Sequence, residues 1–398
     1  MVPLFDLPTL RNKSLHIYGV PDGVEPENGL LLPVEIKSHR RAKSSDYLEL
    51  AFYWLLFEPL RTRNTSQRQG VLIVPGADGR ERRTLLNLKE NHFKRVQDLL
   101  SDIRIARRDG VEPTVCNCDV CFDRPEVAEC VEQQEGVTLI WDIGHRTAKV
   151  LKKIGIRSLD DIVACDSATV VAHLKDRGHV SYISKVDNWK HHARSYLARA
   201  PVFFGVECLP SFGSFIAVDF EYDSDDPGSI YLLGAAVVRE GATAIYQWWG
   251  TEPSEIGANL LRFEELLQEY SPFPIVTWSG EGAEISELRK AAETHDASRL
   301  LQNLSERHQD IFLFIKNNIR LPIPLLNLKS VSAYFGFKPI GDEISNGMRA
   351  MSYYLKYLRA TEESEKQRIQ AALMQYNRDD LEALIQATRC LQGLRPKD

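Results

Sequence analysis

The stretch Ser214-Phe-Ile-Ala-Val-Asp-Phe-Glu-Tyr-Asp223 decides how the second half of the chain is interpreted. Phe215 to Val218 form an apolar run that predicts a buried strand, and this strand ends in Asp219 and Glu221. Because alternate residues of a strand point to the same face, both carboxylates are expected to project together. Two like charges that close repel each other and raise the carboxyl pKa, and a divalent cation with oxygen ligands relieves the repulsion. The alternative is a solvated strand end, since further aspartates follow in a turn.

Composition places the chain among ordinary globular proteins. Its 398 residues are enough for two or three domains, and 43% are apolar and 26% charged. The net charge of -6 does not indicate a nucleic-acid binder, although such an enzyme can keep its basic residues local. The sequence contains no apolar run long enough to span a membrane and starts without the pattern of a signal peptide. We therefore expect a cytoplasmic protein with no membrane partner.

The N-terminal region contains two acids and a lysine in an arrangement that suits phosphodiester hydrolysis. A strand ending at Asp22 and a turn over residues 25–29 are predicted to precede a second strand, on which Glu35 and Lys37 share a face. Acids of this kind can hold Mg²⁺, which activates water, while a lysine stabilises the developing charge. Alternating charge on an exposed strand is the other interpretation of Glu35 and Lys37.

These residues, with the helix predicted after them, resemble the PD-(D/E)xK nucleases of the RecB type. The resemblance implies that Asp22 and Glu35 bind metal and that Lys37 is catalytic. The family's helix carries Gln-x-x-x-Tyr facing the nucleic acid; here the pair is Glu49 and Tyr53, with glutamate replacing glutamine. The family has a helix and a strand before its first aspartate, whereas 21 residues precede Asp22, so the resemblance implies an N-terminally trimmed nuclease domain.

Four of the seven cysteines lie within fifteen residues, which indicates metal ligation rather than scattered disulfides. The four are Cys116, Cys118, Cys121 and Cys130. Cysteines two residues apart can bind one metal, as in zinc and iron–sulfur sites. The resemblance to RecB-type nucleases implies a [4Fe-4S] cluster; Zn²⁺ and a relic without metal are the alternatives.

Residues 137–163 resemble a helix-hairpin-helix unit, in which backbone N–H groups at a helix N-terminus contact a DNA phosphate. The resemblance implies that Arg146 and Lys149 contact nucleic acid. Asp142 replaces the usual first loop glycine and places an anion where the phosphate would lie. Two interpretations therefore remain open, a non-specific duplex contact and a packing module that joins two domains.

More acids follow the opening stretch at positions where a sheet and a helix could bring them together. Strands are predicted over Ile230–Val238, Thr243–Trp249 and Pro274–Trp278, and a helix from about Ser254 to Tyr270. Glu284 follows the third of these strands, at a strand-to-helix transition. Tyr376 and Asp380 are four residues apart and share one face of a predicted helix that continues to Leu391.

Residues 212–394 resemble the DEDD exonuclease superfamily with an RNase H-like fold, in its YprB-like branch. The resemblance implies that four acids hold two Mg²⁺ or Mn²⁺ ions and that Tyr376 orients the attacking water. The four acids are Asp219, Glu221, Glu284 and Asp380. Glu284 replaces the family's aspartate, and the adjacent Asp379 makes the assignment of Asp380 depend on the family pattern. Lys329 matches the lysine of the family's Ser-Leu-Lys helix and is expected to contact the substrate.

The order of these regions resembles that of RecB-like putative nucleases, a family of two-nuclease fusion proteins. The expected fold class is α/β. We expect a restriction-endonuclease-like α/β portion over residues 1–130, a small helical linker domain over 131–205, and an RNase H-like mixed α/β domain over 206–398. The implied function is metal-dependent hydrolysis of DNA or RNA, of the 3′–5′ exonuclease type at the C-terminal site. The alternative is a nucleic-acid-binding or scaffold protein with decayed nuclease sites.

Overall fold

The computed structural model describes residues 21–27, 30–37, 42–57, 68–75, 81–108, 136–176, 178, 180–205, 208–223, 226, 228–278, 285–295, 297–341 and 343–395. The chain divides into two compact units, residues 1–113 and 114–398. Both contain sheets and helices, in agreement with the expected α/β class. Within the described segments, no helix combines the length and the apolar character needed to cross a membrane.

The first unit is a four-stranded sheet with two helices. In chain order its elements are β1 (Gly23–Glu27), β2 (Leu30–Ile36), α1 (Ser44–Phe57), β3 (Gln69–Pro75), β4 (Glu81–Asn87) and α2 (Glu90–Arg108). The strand order is β1-β2-β3-β4, with β2 parallel to β3 and antiparallel pairs on either side. A parallel pair needs a crossover connection, and α1 lies in it. Asp22 precedes β1, so the prediction that it ends a strand was wrong.

Apolar side chains of α1 hold this helix on the sheet. Leu50 and Trp54 are buried with Val71 of β3 in the core of the unit. Gly70 permits the close approach, because a Cβ atom there would lie 2.9 Å from Cδ2 of Leu50. The helix is thereby fixed beside the end of β2, where Glu35 and Lys37 lie.

The second unit begins with a bundle of short helices. These are α3 (His145–Lys153), α4 (Leu159–Ala164), α5 (Ser167–Asp176) and α6 (Val186–Ala198), with 3-10 helices at Val137–Leu139 and Val180–Lys185. Gly155 links α3 to α4 with a φ of 84°, a conformation that favours glycine. Ser158 and Asp161 then form a capping box at the start of α4. Leu151 and Trp189 lie at the centre of a shared core.

The remaining elements form a five-stranded sheet with helices on both faces. They are β5 (Val202–Phe203), β6 (Phe215–Tyr222), β7 (Ile230–Arg239), β8 (Ala242–Trp249), α7 (Pro253–Glu269), β9 (Ile275–Thr277), α8 (Ile285–Thr294), α9 (Ser298–Arg307), β10 (His308–Asp310), α10 (Ile311–Asn318), β11 (Ile319–Arg320), α11 (Leu328–Tyr334), α12 (Gly347–Arg359) and α13 (Glu363–Gly393). The three-strand antiparallel start over β6, β7 and β8 agrees with the sequence prediction.

The sheet has the strand order β10-β9-β6-β7-β8. Strand β9 runs parallel to β6, and β10 runs parallel to β9. Helices α10, α11 and α13 contribute side chains to the core on one face, and α7, α8 and α9 contribute to the core on the other. The central strand β6 is therefore covered by helices on both sides, and α13 crosses the face towards which Asp219 points.

The helical bundle packs directly on the sheet-containing part of the second unit. Strand β5 pairs with β11, opposing Val202 to Arg320. The buried guanidinium of Arg320 lies 4.3 Å from the ring centroid of Phe204 and 5.1 Å from that of Trp141. Burial lowers the pKa of Arg320 to about 10, which leaves the side chain charged at neutral pH. The bundle and the sheet-containing part of this unit therefore share a buried junction at Arg320.

Candidate metal centre

Strand β6 presents Asp219 and Glu221 on one face of the sheet. Phe215 and Ala217 precede them at the same two-residue period and are buried in the core beneath α13. The intervening Val218 is buried in the core on the opposite face. The alternation predicted from the opening stretch therefore places both acids on the side of the sheet that α13 covers.

Helix α13 adds a third carboxylate to this face. Carboxylate oxygens of Asp219, Glu221 and Asp380 all lie within 4.8 Å of one another, and each side chain is half-buried. Among the described residues, these three are the group of His, Cys, Asp or Glu side chains whose ligand atoms all come this close together. Three carboxylate donors fit a hard divalent cation such as Mg²⁺ or Mn²⁺, which prefers oxygen ligands.

The surroundings of these acids oppose their ionisation. Burial, followed by the charge of Asp380, raises the pKa of Asp219 to about 8. Burial also raises the pKa of Asp380 to about 6, although the charge of Lys329 and a hydrogen bond from Tyr376 act in the opposite direction. A cation bound between the carboxylates would restore the ionised forms, because opposite charge favours them.

Tyr376 and Lys329 form one side of the centre. The hydroxyl of the buried Tyr376 is hydrogen-bonded to Asp380, as their four-residue spacing on α13 allows. Burial and then the neighbouring charge of Asp380 raise the pKa of Tyr376, so its hydroxyl keeps its proton. The ammonium of Lys329 lies 4.5 Å from the centroid of the Tyr376 ring and donates a hydrogen bond to the carbonyl oxygen of Ser345.

Asp379 has a different role from its neighbour. It is buried, and its carboxylate accepts hydrogen bonds from the backbone N–H groups of Ile340 at 3.2 Å and Gly341 at 2.8 Å. The side-chain amide of Gln375 donates a third at 2.9 Å. Asp379 thus anchors the chain between α11 and α12, and Asp380 is the residue that reaches Asp219.

Sequence reasoning did not identify Asn377, which is fully buried against the centre. Its side-chain nitrogen donates to Oδ2 of Asp219 at 2.7 Å and to the carbonyl oxygen of the same residue at 3.1 Å. Gln247 of β8 donates to the Asn377 side-chain oxygen at 2.9 Å. The available signal was Gly234, an isolated glycine in an apolar strand, which indicates a close approach by another group.

The first unit brings together five of the residues singled out at the N-terminus. Oδ2 of Asp22 accepts from the backbone N–H of Ile36 at 2.7 Å, at the end of the strand that carries Glu35. The Lys37 ammonium lies 2.8 Å from Oε2 of Glu35 and also pairs with Glu49. Burial alone lowers the pKa of Lys37, but its hydrogen bonds to both glutamates raise it overall.

Electrostatic effects in the first unit connect the same residues. Burial raises the pKa of Glu35, the pairing with Lys37 partly offsets this, and the charges of Asp22 and Glu49 raise it further. Burial also raises the pKa of Tyr53, followed by the charges of Glu35 and Glu49. The predicted constellation is therefore assembled in space, although its lysine is already held by two carboxylates.

Several predicted site residues are placed without a defined role or lie outside the described segments. Lys149 is exposed on α3, and Arg146 belongs to the same helix. Asp142, in the loop before that helix, pairs with Lys185 at 2.7 Å. Glu284 lies outside the described residues, and so do Cys116, Cys118, Cys121 and Cys130.

Comparison with known proteins supports the assignment of the C-terminal region. Residues 216–391 match the family described as the RNase H superfamily, a range that contains β6, α13 and the three clustered acids. No curated protein matches the chain, and no solved structure matches it either. The match supports a nuclease hydrolase in general terms, with a nucleic acid as its substrate. The C-terminal region of this chain is thus an RNase H-like domain with an acidic cluster on its central strand.

Proposed function

We propose that this chain is a metal-dependent nuclease that hydrolyses phosphodiester bonds of DNA or RNA at the centre formed by Asp219, Glu221 and Asp380. The observation that carries the proposal is the meeting of three carboxylates within 4.8 Å on the central strand of an RNase H-like sheet. Burial raises the pKa of two of these acids. Such a site is costly for the folded protein to maintain unless a cation occupies it.

Each residue of the centre would have a separate role in hydrolysis. Two Mg²⁺ or Mn²⁺ ions would supply the charge that stabilises the attacking and leaving oxygens of the phosphodiester. The three acids would hold these ions, and the family pattern implies Glu284 as a fourth. Tyr376, whose hydroxyl is fixed by Asp380, would orient the attacking water through a hydrogen bond. The charge of Lys329 favours the ionised acids and would attract the substrate phosphate.

The resemblance to DEDD exonucleases supports removal of nucleotides from a 3′ end. The test uses single- and double-stranded DNA and RNA labelled at the 5′ end, with circular single-stranded DNA as a substrate that has no end. An exonuclease shortens the labelled linear strands step by step and leaves the circle intact. Cleavage of the circle would show an endonuclease, and loss of the 5′ label as a mononucleotide would reverse the polarity.

The catalytic assignment is tested by Asp219→Ala in the full chain. Combined with Lys37→Ala, so that a site in the first unit cannot contribute, this change should abolish Mg²⁺- or Mn²⁺-dependent degradation. Glu382→Ala, which removes an acid paired with Arg378 on the same helix, is the matched control and should retain activity. Undiminished activity of Asp219→Ala would assign the chemistry to another part of the chain.

A second nuclease site in the first unit is proposed on the grouping of Asp22, Glu35 and Lys37. The resemblance to RecB-type nucleases supports it, as does the contact between Lys37 and Glu35 at 2.8 Å. The test is the pair Lys37→Ala and Asp219→Ala, each alone and combined. Activity that survives Asp219→Ala and disappears in the double variant would belong to the N-terminal site.

A nucleic-acid-binding protein with decayed sites is the second candidate, and one observation favours it for the first unit. Lys37 is paired with Glu49 as well as with Glu35, so its charge is already neutralised before any phosphate arrives. Calorimetric titration with Mn²⁺ discriminates the two functions. A nuclease should show saturable binding that Glu221→Ala removes, and a decayed protein should show none.

The cysteine tract at residues 116–130 is proposed to bind a metal, on the basis of its spacing alone. A visible absorbance band in anaerobically purified protein would identify an iron–sulfur cluster. Zinc would give no such band and would be found by elemental analysis. Absence of both metals would identify the tract as a relic.

A further inference from the structure

We propose that Asn377 and Gln247 form a positioning pair that fixes the carboxylate of Asp219 for cation binding. This inference rests on the proposed function, since it concerns the same centre. Neither side chain is an acid, and neither was singled out by the motifs in the sequence. The pair connects β8, α13 and β6 through side-chain amides. Its geometry also explains why a glycine occupies position 234 of the strand between β6 and β8.

Two main-chain carbonyl groups determine how both amides are oriented. The Gln247 nitrogen lies 2.7 Å from the carbonyl oxygen of Met374, which can only accept a hydrogen bond. The same nitrogen lies 2.9 Å from the Asn377 side chain, which must therefore present its oxygen there. The nitrogen of Asn377 is then directed to Asp219, where a second main-chain carbonyl oxygen accepts from it at 3.1 Å. An inverted amide would place two acceptors together at either end.

The sheet leaves room for this pair at one position. In the register of the three strands, Asp219 lies opposite Gly234, and Gly234 lies opposite Gln247. Residues opposite one another share a face of the sheet, so the three positions form one row beneath α13. A Cβ atom at Gly234 would overlap the side-chain amide of Asn377. The missing side chain thus creates the space through which Asn377 reaches from Gln247 to Asp219.

The pair defines which part of the Asp219 carboxylate is available. Asn377 donates to Oδ2 at 2.7 Å, and this leaves Oδ1 to contact a cation. The donor is neutral, so it restricts rotation of the carboxylate without adding a positive charge that would compete with the cation. Removing a group that holds a metal ligand in this way commonly lowers metal affinity or activity by roughly 10- to 100-fold.

The test is Mn²⁺ titration calorimetry on the full chain, combined with kinetics at low and high Mn²⁺. Asn377→Ala should weaken Mn²⁺ binding by roughly 10- to 100-fold. Gln247→Ala changes a half-buried residue whose side chain donates to Met374 and Asn377, and it should weaken binding in the same direction by a smaller factor. Activity of both variants should recover when the Mn²⁺ concentration is raised, which a general packing defect would not allow.

Asn259→Ala is the matched control. Asn259 is also a buried asparagine on a helix of this domain; its nitrogen donates to the carbonyl oxygen of Trp249 at 3.1 Å, and its oxygen accepts from Arg262 at 3.4 Å. Its Mn²⁺ affinity should equal that of the wild type. If Asn377→Ala does not fold, Gln247→Ala carries the test alone.

The double variant separates a coupled pair from two independent contacts. Because Gln247 acts through Asn377, the combined change should weaken Mn²⁺ binding no more than Asn377→Ala does alone. Wild-type affinity in folded Asn377→Ala and Gln247→Ala would overturn this inference and leave the proposed function intact. Absence of saturable Mn²⁺ binding by the wild-type protein would overturn both.

Discussion

Asp379 and Asp380 are consecutive on α13, yet one carboxylate binds backbone and the other joins the acidic cluster. Oδ2 of Asp379 accepts from the backbone N–H of Gly341 at 2.8 Å, whereas an oxygen of Asp380 lies within 4.8 Å of Asp219 and Glu221. A helix turns by about 100° per residue, so adjacent side chains face different surroundings. Two neighbouring acids of the same chemistry therefore have separable roles in structure and in function.

We predict opposite phenotypes for the two substitutions to alanine. Asp380→Ala should leave the melting temperature nearly unchanged or raised and reduce metal-dependent hydrolysis by about 10²- to 10⁴-fold, because a cation ligand contributes several kcal/mol to the transition state. Asp379→Ala should instead lower the free energy of unfolding by about 2 to 4 kcal/mol, since three donors lose a charged acceptor. Thermal unfolding and single-turnover hydrolysis measure the two effects. Equal loss of stability in both variants would contradict this division.

Without divalent metal, Asp219 and Asp380 should make the wild type lose stability relative to Asp219→Asn as pH rises from about 4 to about 8. The folded-state pKa values of Asp219 and Asp380 are raised to about 8 and about 6, so the folded protein binds more protons than the unfolded chain in this range. The loss should be on the order of a few kcal/mol. Melting temperatures in EDTA at several pH values measure it. In Asp219→Asn the loss of stability with rising pH should be smaller. Mg²⁺ should raise the melting temperature of the wild type more at about pH 8 than at about pH 5, because it binds the ionised acids. The comparison with the variant is needed because burial lowers the pKa of His192 to about 3, which acts in the opposite direction. A wild type that loses no stability relative to Asp219→Asn as pH rises would contradict the contribution of the two acids.

Lys329→Met should move the acid limb of the pH–rate profile to higher pH. The charge of Lys329 lowers the pKa of both Asp219 and Asp380, so its removal makes the acids harder to ionise. Because Lys329 is exposed and partly screened by solvent, we expect a shift of about one pH unit or less. Lys316→Met is the control, since Lys316 also lies over an aromatic ring, 5.5 Å from the Phe312 centroid. Identical profiles for the wild type and Lys329→Met would rule out this electrostatic role.

Arg320→Met should destabilise the second unit by about 2 kcal/mol or more, the range for a desolvated cation over aromatic rings. The substitution removes the contacts to Trp141 and Phe204 and a hydrogen bond to the carbonyl oxygen of Lys316 at 2.7 Å. Arg368→Met removes an exposed arginine paired with Glu343 and Glu365 and should cost much less, because solvent screens exposed ion pairs. Urea unfolding compares the two. Similar losses would mean that the junction contributes no more than a surface ion pair.

The parts of the centre that the sequence predicted are those with a local period. Asp219 and Glu221 follow the two-residue period of a strand, and Tyr376 and Asp380 follow the four-residue spacing of a helix. Both patterns can be read without knowing which elements meet. The RNase H-like assignment of the region agrees with the family match over residues 216–391. The roles of the individual residues remain predictions.

Asn377 was not predicted, because its partners are distant in the chain and Gly234 shows only that some group approaches the strand closely. The hydrogen bond to Asp219 joins residues 158 positions apart, and the one to Gln247 joins residues 130 apart. A polar residue in a helix is usually exposed, so asparagine beside Tyr376 indicates a surface position until the sheet is placed beneath it. The start of β1 was missed for a related reason, since the sequence around Asp22 does not show which residues pair with β2.

Helix α13 carries Tyr376, Asn377, Asp379 and Asp380 on one continuous run from Glu363 to Gly393. Their relative directions are set by helical phase and not by any loop. Inserting one residue between Leu373 and Tyr376 would turn everything after it by about 100° and move it by about 1.5 Å, so every one of these contacts would be lost together. An insertion between α12 and α13 would change no phase within the helix. The acidic cluster should therefore be lost when a single residue is inserted within α13 before Tyr376. It should tolerate an insertion in the connection that precedes the helix.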